Sequence, residues 1–543
     1  MPRSMWLRQD PWFRSPGRLT MKITKLLATP TAIALALLAV AAVGHAQTSV
    51  PVGRVPNEKF SDVRSVIGDA IADMTIPSAA VGVAQGGKIV WLEGFGWADG
   101  PARRRTTAHT PYPIAYITKP LTATAVMMLA ERGEIDLDSP VEHYMIPLEF
   151  KSYGGESRDV TIRHLLNHTS GLPMHFNYFY EDEGYDPPGI EETVERYGIL
   201  LHPPGEVFQY ANLGYGILGH IISEVTGRPF DEFMLEEVMA PLGMVTSWVG
   251  LNPEYARLAA VKYDLDMESI PGIRTDTPGA AEGFSTAYDL LRFGMLHLKN
   301  KMPGSPQLLS HAAIDAMHTQ TDAGAQYPSD DLYGLGWFFK ENDNGYRTVW
   351  HEGGIGGARC ILKLVPAEGI AVVVLLNVYN DEFPPGRIAD MILGTLLPEY
   401  GGNPEGGAAP SQSGFSEYEA APEFTGTWRG EIKTYEGGVP VYMVFQEDGD
   451  IHFLKPLDVD RTWVLQNQYL FDRVLNNTGI AGNRIYGWVD ARVPTGDAMR
   501  RPHVAVLDIV RDGDRLAGSL TAISAAERMY YGLSYYISLE KQD

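Results

Sequence analysis

The chain has 543 residues, 45% of them hydrophobic and 20% charged, with 44 Lys and Arg against 67 Asp and Glu and a formal charge of −23. That is a globular composition long enough for more than one core. An acidic surface without clustered Lys and Arg excludes phosphate-backbone binding, hence nucleic acid, and the single cysteine, Cys360, excludes an internal disulfide.

The N-terminus has the order of a targeting segment. Met21-Lys22-Ile23-Thr24-Lys25 is a basic stretch, Ala32 to Val43 is apolar, and Gly44-His45-Ala46 has the small-x-small form of a cleavage site. The apolar run is shorter than the roughly 18 residues a membrane span needs. The expectation is a signal peptide starting near Met21, a periplasmic or secreted mature protein, and no membrane span once residues 1–46 are removed.

Residues 78–99 alternate and turn at Gly86-Gly87, the pattern of a β-hairpin. Residues 119–132 place Leu121, Ala125, Met128 and Leu129 on one helical face, closed by Gly133. Residues 161–167, 212–226 and 286–299 also have helical spacing, separated by loops such as Pro187-Pro188-Gly189 and Pro203-Pro204-Gly205. Strand patterns return at Thr348-Val349-Trp350, 359–365 and 370–376, the last two joined by Pro366-Ala367-Glu368-Gly369. Strands at both ends of a helical middle predict a mixed α/β (α+β) domain over 47–398, whose two ends share one antiparallel sheet. Residues 399–421 have linker composition. From 422 to 543 short strands alternate with Gly turns, which predicts a small all-β domain of barrel type. Cys360 lies in an apolar strand-like run, where buried packing is favoured over reactivity.

Three segments carry chemistry. In Tyr116-Ile117-Thr118-Lys119, positions 116 and 119 share a helical face, so the side chain at 116 and the lysine amine can meet; a partly desolvated lysine serves as a base. Tyr210-Ala211-Asn212 offers a phenol for proton transfer and an amide to hold a carbonyl. In His351-Glu352-Gly353-Gly354, on a strand, the glycines let a substrate approach the backbone, whose N–H groups stabilise an oxyanion.

These segments, in this order, resemble the signatures S-x-x-K, Y-x-N and H-x-G of the serine β-lactamase and penicillin-binding-protein superfamily. The closest likeness is to its class C β-lactamase, esterase and D-aminopeptidase-like (S12) branch. Residues 161–173, Pro241-Leu242-Gly243-Met244 and Tyr333-Gly334-Leu335-Gly336-Trp337 are similar too, so the resemblance spans roughly 60–397. It implies a β-lactamase-like fold: an antiparallel sheet flanked by helices plus a helical subdomain. The β-domain after it is similar to lipocalin-like domains of some members. It also implies Lys119 as base, Tyr210 as proton shuttle, Asn212 as a substrate-orienting amide, and His351, Gly353 and Gly354 on the oxyanion side, with no cofactor and no metal. The partner is then a small peptide or acyl substrate, with D-residue or nonribosomal peptides the best match. A binding protein for peptidoglycan fragments and an esterase or acyltransferase are the alternatives.

The departure is Tyr116, which stands where the family has its nucleophilic serine. A serine oxygen lies about 2.4 Å from its Cα and a phenol oxygen about 6.5 Å, so the phenol overshoots the attack position. A phenol is protonated at neutral pH unless a cation such as Lys119 draws its pKa down from about 10. Tyr116 is thus a silenced position or a displaced, lysine-activated phenolate. Thr118 and Ser170 are substitute hydroxyls, and His164 and His168 have the i, i+4 spacing of a zinc pair.

Overall fold

The computed structural model describes residues 58–145, 149–153, 156, 159–302, 304–320, 331–397, 399–400, 416–454, 473–524 and 528–542. The expected signal segment, and most of the expected linker, lie outside the described residues.

Helix α1 (Ser61–Ala72) precedes the hairpin β1 (Ser78–Gln85) and β2 (Lys88–Asp99). Gly86 and Gly87 turn it with φ of 58° and 75°, the two positive values a tight two-residue loop requires. After β3 (Arg104–Arg105) and β4 (Tyr112–Ala115), α2 (Thr118–Glu131) begins. Next come β5 (Phe176–Tyr180), α3 (Asn212–Thr226), β6 (Ile273–Thr275), β7 (Gly283–Ser285) and α4 (Ala287–His297). The chain then returns to strands β8 (Leu332–Tyr333), β9 (Phe338–Asp343), β10 (Tyr346–Ile355), β11 (Ala358–Val365) and β12 (Ile370–Leu376), and closes on α5 (Pro385–Leu396).

The two ends do share a sheet. Its order is β8-β9-β10-β11-β12-β1-β2-β3, and β1 pairs antiparallel with β12 from Ala79↔Leu376 to Gln85↔Ile370. Strand β12 is apolar throughout because both of its faces are covered. Val373 and Leu375 pack with Leu290 and Leu291 of α4 on one side; Val372 and Val374 pack with Ile388 and Ile392 of α5 on the other. Helix α2 is more enclosed than a single apolar face predicts: residues 118–129 are all buried.

The C-terminal region is an antiparallel sheet. Its principal strands include β13 (Gly426–Thr434), β14 (Gly437–Phe445), β15 (Ile451–Leu454), β16 (Asn476–Ala481), β17 (Arg484–Val489), β18 (Val504–Asp512), β19 (Arg515–Ser524) and β20 (Tyr531–Lys541). The path β16-β17-β18-β19-β20-β13-β14-β15 is continuous, and β20 also pairs with β5, so this sheet reaches into the first region. Among the described residues no helix is long and apolar enough to cross a membrane.

Candidate active site

Strand β4 delivers the chain to the site through a strained turn. Ala115 has φ +44°, a left-handed value that costs a non-glycine residue about 1 kcal/mol or more. Thr118 staples the turn: its hydroxyl donates to the Ala115 carbonyl (2.6 Å) and accepts the Gly283 N–H (2.9 Å). Thr118 is therefore a structural hydroxyl, not a substitute nucleophile. Ser170 is equally buried, with its oxygen facing the Leu172 N–H at 3.4 Å.

Lys119 lies in the first turn of α2 and is 0% exposed. Its Nζ donates to Asn212 Oδ1 at 2.7 Å, and Asn212 Nδ2 donates to the His175 carbonyl at 2.5 Å. Asn212 opens α3, yet its side chain serves the lysine and does not cap the helix. The amine sits 3.9 Å from the Tyr116 ring centre, 4.5 Å from that of Tyr210 and 5.7 Å from that of Tyr215. Burial drives its pKa well below the ordinary 10.5, because charge is costly where no water solvates it. Lys363 shows the contrast. It is also buried, but it bonds Asp343 and Asp390, and those carboxylates outweigh burial and keep it cationic. Lys119 faces an amide and aromatic rings, which offset the cost of burying a charge less than two carboxylates do.

The expectation that Lys119 acidifies the phenol takes a different form here. The amine meets the ring face of Tyr116, while the Tyr116 hydroxyl is turned to the hydroxyl of Tyr178, 2.7 Å away. Burial pushes the Tyr116 phenol up to about 12, an effect the Tyr178 hydrogen bond partly offsets. Burial also raises Tyr210 and Tyr178 well above 10. Amine and phenols are thus favoured in their neutral forms.

Tyr210 packs against His168 at a tilt of 40°, ring centres 4.3 Å apart, and meets Tyr116 edge-on at 6.1 Å. His168 has φ +61°, and its Nδ1 accepts the Ala211 N–H, so a second strained residue fixes the Tyr210-Ala211-Asn212 segment. His164 Nδ1 faces the Thr161 N–H instead; the two histidines serve separate local roles.

His351 on β10 is buried. Its Nδ1 faces the Glu352 carbonyl at 2.6 Å, which makes Nδ1 the donor and leaves Nε2 to accept from the Tyr333 hydroxyl at 3.1 Å. Burial first, then the Lys119 amine, lowers its pKa to about 3, so the ring is neutral. The Tyr333 ring lies 4.7 Å from that of His168, which links the third segment to the second. The room left by the two glycines is taken up by the protein itself. A Cβ on Gly353 would fall 2.2 Å from the Ile114 carbonyl oxygen, and one on Gly354 would fall 2.6 Å from the Tyr379 ring. These glycines let β4 and Tyr379 approach β10, where the sequence suggests a substrate. Cys360, opposite Gly353, is a buried thiol donating to the Ile114 carbonyl at 3.1 Å, and burial raises its pKa.

The first two segments thus meet at the Lys119 amine, and the third joins them through Tyr333 and Ile114. Sequence reasoning missed Tyr178, which lies in a stretch without period-two alternation (Phe176-Asn177-Tyr178-Phe179-Tyr180), and the role of Tyr333, visible only as part of a similar segment.

A strained turn leading into a lysine-bearing helix, a Tyr-x-Asn helix start and a His-x-Gly strand on a sheet closed by both chain ends define a β-lactamase-like site. The chain belongs to the Beta-lactamase family, matched over residues 63–394. "Protein flp" of Staphylococcus aureus (strain MRSA252) is 27% identical over 340 residues, covering 61% of this chain and 65% of that protein. The chain thus spans just under two thirds of the length of this curated relative. "Unguisins hydrolase ungD'" of Aspergillus campestris (strain IBT 28561) is 26% identical over 334 residues, covering 58% of this chain and 61% of that protein. The crystal structure of SurE with D-Leu is similar in fold, with a TM-score of 0.58 at 20% identity over 90% of this chain and 100% of that one.

Proposed function

We propose that the protein is an exported hydrolase of amide or ester bonds, acting on peptides with D-residues or of nonribosomal origin. The observation that carries this reading is the buried Lys119 amine, held by Asn212 among three tyrosine rings and favoured in its neutral form, as a general base requires. The relative named as a hydrolase supports hydrolysis, and the SurE structure with D-Leu supports a D-residue in the substrate.

In this reading the Tyr116 oxygen attacks the acyl carbon, and a water carries its proton to Lys119, whose amine faces the ring and not the hydroxyl. The scissile C–N or C–O bond breaks, and the departing amine or alcohol takes a proton through Tyr210. Water then adds to the aryl ester, and release of the acid restores the phenol. Asn212 orients the substrate carbonyl, and neutral His351 supports the wall through Tyr333. The test is hydrolysis of D-amino acid amides and D-residue peptides by the full chain, with Tyr116→Phe and Lys119→Ala as controls. Turnover that both substitutions abolish supports the assignment; turnover that survives both defeats it.

One observation favours a second reading. The Tyr116 hydroxyl is already satisfied by Tyr178, as suits a pocket that binds an acyl peptide without cleaving it. Saturable binding of such a peptide with no product would select that reading.

A further inference from the structure

Tyr178 is 1% exposed and holds the Tyr116 hydroxyl at 2.7 Å. Its own strand is clamped from both edges. On one side β6 pairs with β5 through Tyr178↔Thr275. On the other, β20 of the C-terminal sheet pairs through Asn177↔Tyr531 and Phe176↔Gly532, and the Tyr178 N–H donates to the Tyr530 carbonyl at 2.7 Å. Side chains reinforce this seam: Tyr180 donates to the Met529 carbonyl (2.7 Å), and Ser534 to that of Met174 (2.6 Å). A small core unites Tyr178 with Ala115, the strained residue before Tyr116, and with partly buried Met529 and Tyr530.

We propose that Tyr178 is a positioning residue for Tyr116, and that the edge of the C-terminal sheet holds it in place. With Tyr178 as the donor of this hydrogen bond, the Tyr116 oxygen is fixed and its own proton is not used in the pair. When that proton leaves, the bond becomes O–H···O⁻ and strengthens, so the pair favours ionisation at 116 over 178. The C-terminal sheet is then part of the site's scaffold through one backbone hydrogen bond and one strand register. This deepens the reading above, since it names the group that sets the nucleophile.

The experiment places 3,5-difluorotyrosine at 116 in the full chain and reads its ionisation by ¹⁹F NMR against pH, without substrate. Removing the donor with Tyr178→Phe raises the midpoint by about one pH unit or more, the size of a hydrogen bond to a charged group. Gly532→Val drives a side chain into the Phe176 ring, since even a Cβ there falls 2.4 Å from it; the midpoint moves the same way by a smaller amount. Ser534→Ala, which loosens the seam without crowding it, stands in should the valine variant not fold. A midpoint unmoved within about 0.3 pH units by Tyr178→Phe overturns the proposal. A midpoint moved by Tyr178→Phe but by neither seam variant overturns the part played by the C-terminal sheet. Turnover is measured separately, so loss of hydrolysis without a shifted midpoint counts against the catalytic reading and not against Tyr178.

Discussion

Replacing Tyr116 by serine tests the geometry of the site directly. A serine oxygen lies about 4 Å closer to the backbone than a phenol oxygen, just before the helix whose first turn carries the Lys119 amine. Misplacement of about 1 Å already costs on the order of 100-fold in a covalent step. The wild-type phenol carries a second handicap: with a pKa of about 12, roughly one molecule in 10⁴ is phenolate at pH 8. The assay is the second-order rate of labelling by a fluorophosphonate, followed by intact mass. Wild type is expected to label slowly, at Tyr116, with the rate rising about tenfold per pH unit from pH 8 to 10. Tyr116→Ser is expected to label at least about 100-fold faster at pH 8, with little pH dependence there. Thermal denaturation serves as the folding control, because losing a half-buried ring lowers stability by about 2–4 kcal/mol. Equal rates for the two proteins, or a wild-type rate flat with pH, would show that neither the reach nor the ionisation of the phenol limits labelling.

Three further outcomes follow from the same packing. Burial raises the Glu352 carboxyl to about 7, so the folded chain holds it neutral while the unfolded chain ionises near 4.5; that cost is full above pH 7 and fades as pH falls towards 4.5. Glu352→Gln is therefore more stable than the parent by about 3 kcal/mol at pH 7 and by under about 1 kcal/mol at pH 5 in urea unfolding; a gap that does not change with pH contradicts this. Gly353→Ala forces a methyl against the Ile114 carbonyl, 2.2 Å away, costing about 1–3 kcal/mol and displacing the strand that leads to Tyr116; an unchanged melting temperature and labelling rate would count against it. Lys363→Met leaves Asp343 and Asp390 without their shared cation and lowers stability by about 3–5 kcal/mol in chemical denaturation; a loss under about 1 kcal/mol would show that water solvates that network.

Much of this was legible because local signals and long-range packing agree. Gly86-Gly87 demands a tight turn wherever it occurs, and β12 is apolar at every position because helices cover both faces of the sheet. Tyr116, Lys119, Tyr210, Asn212 and His351 could be picked out because they stand in short motifs of fixed spacing. Tyr178 could not. Its strand carries no alternation, and its partners are residues 273–275 and 530–532, so its place is set by pairing across more than half of the chain. Nor could residue types alone show that the glycines of β10 make room for Ile114 and Tyr379, since a substrate and a neighbouring strand leave the same demand for a missing side chain.

The proposed base is the buried Lys119 amine, held by Asn212 among aromatic rings and favoured in its neutral form. Its most direct test is the ionisation of Lys119 followed by NMR of ε-¹³C-labelled lysine, with the signal assigned through Lys119→Met. The expected resonance titrates well below 10.5, apart from the other lysines. A Lys119 signal that titrates with the surface lysines at about 10.5 would contradict it.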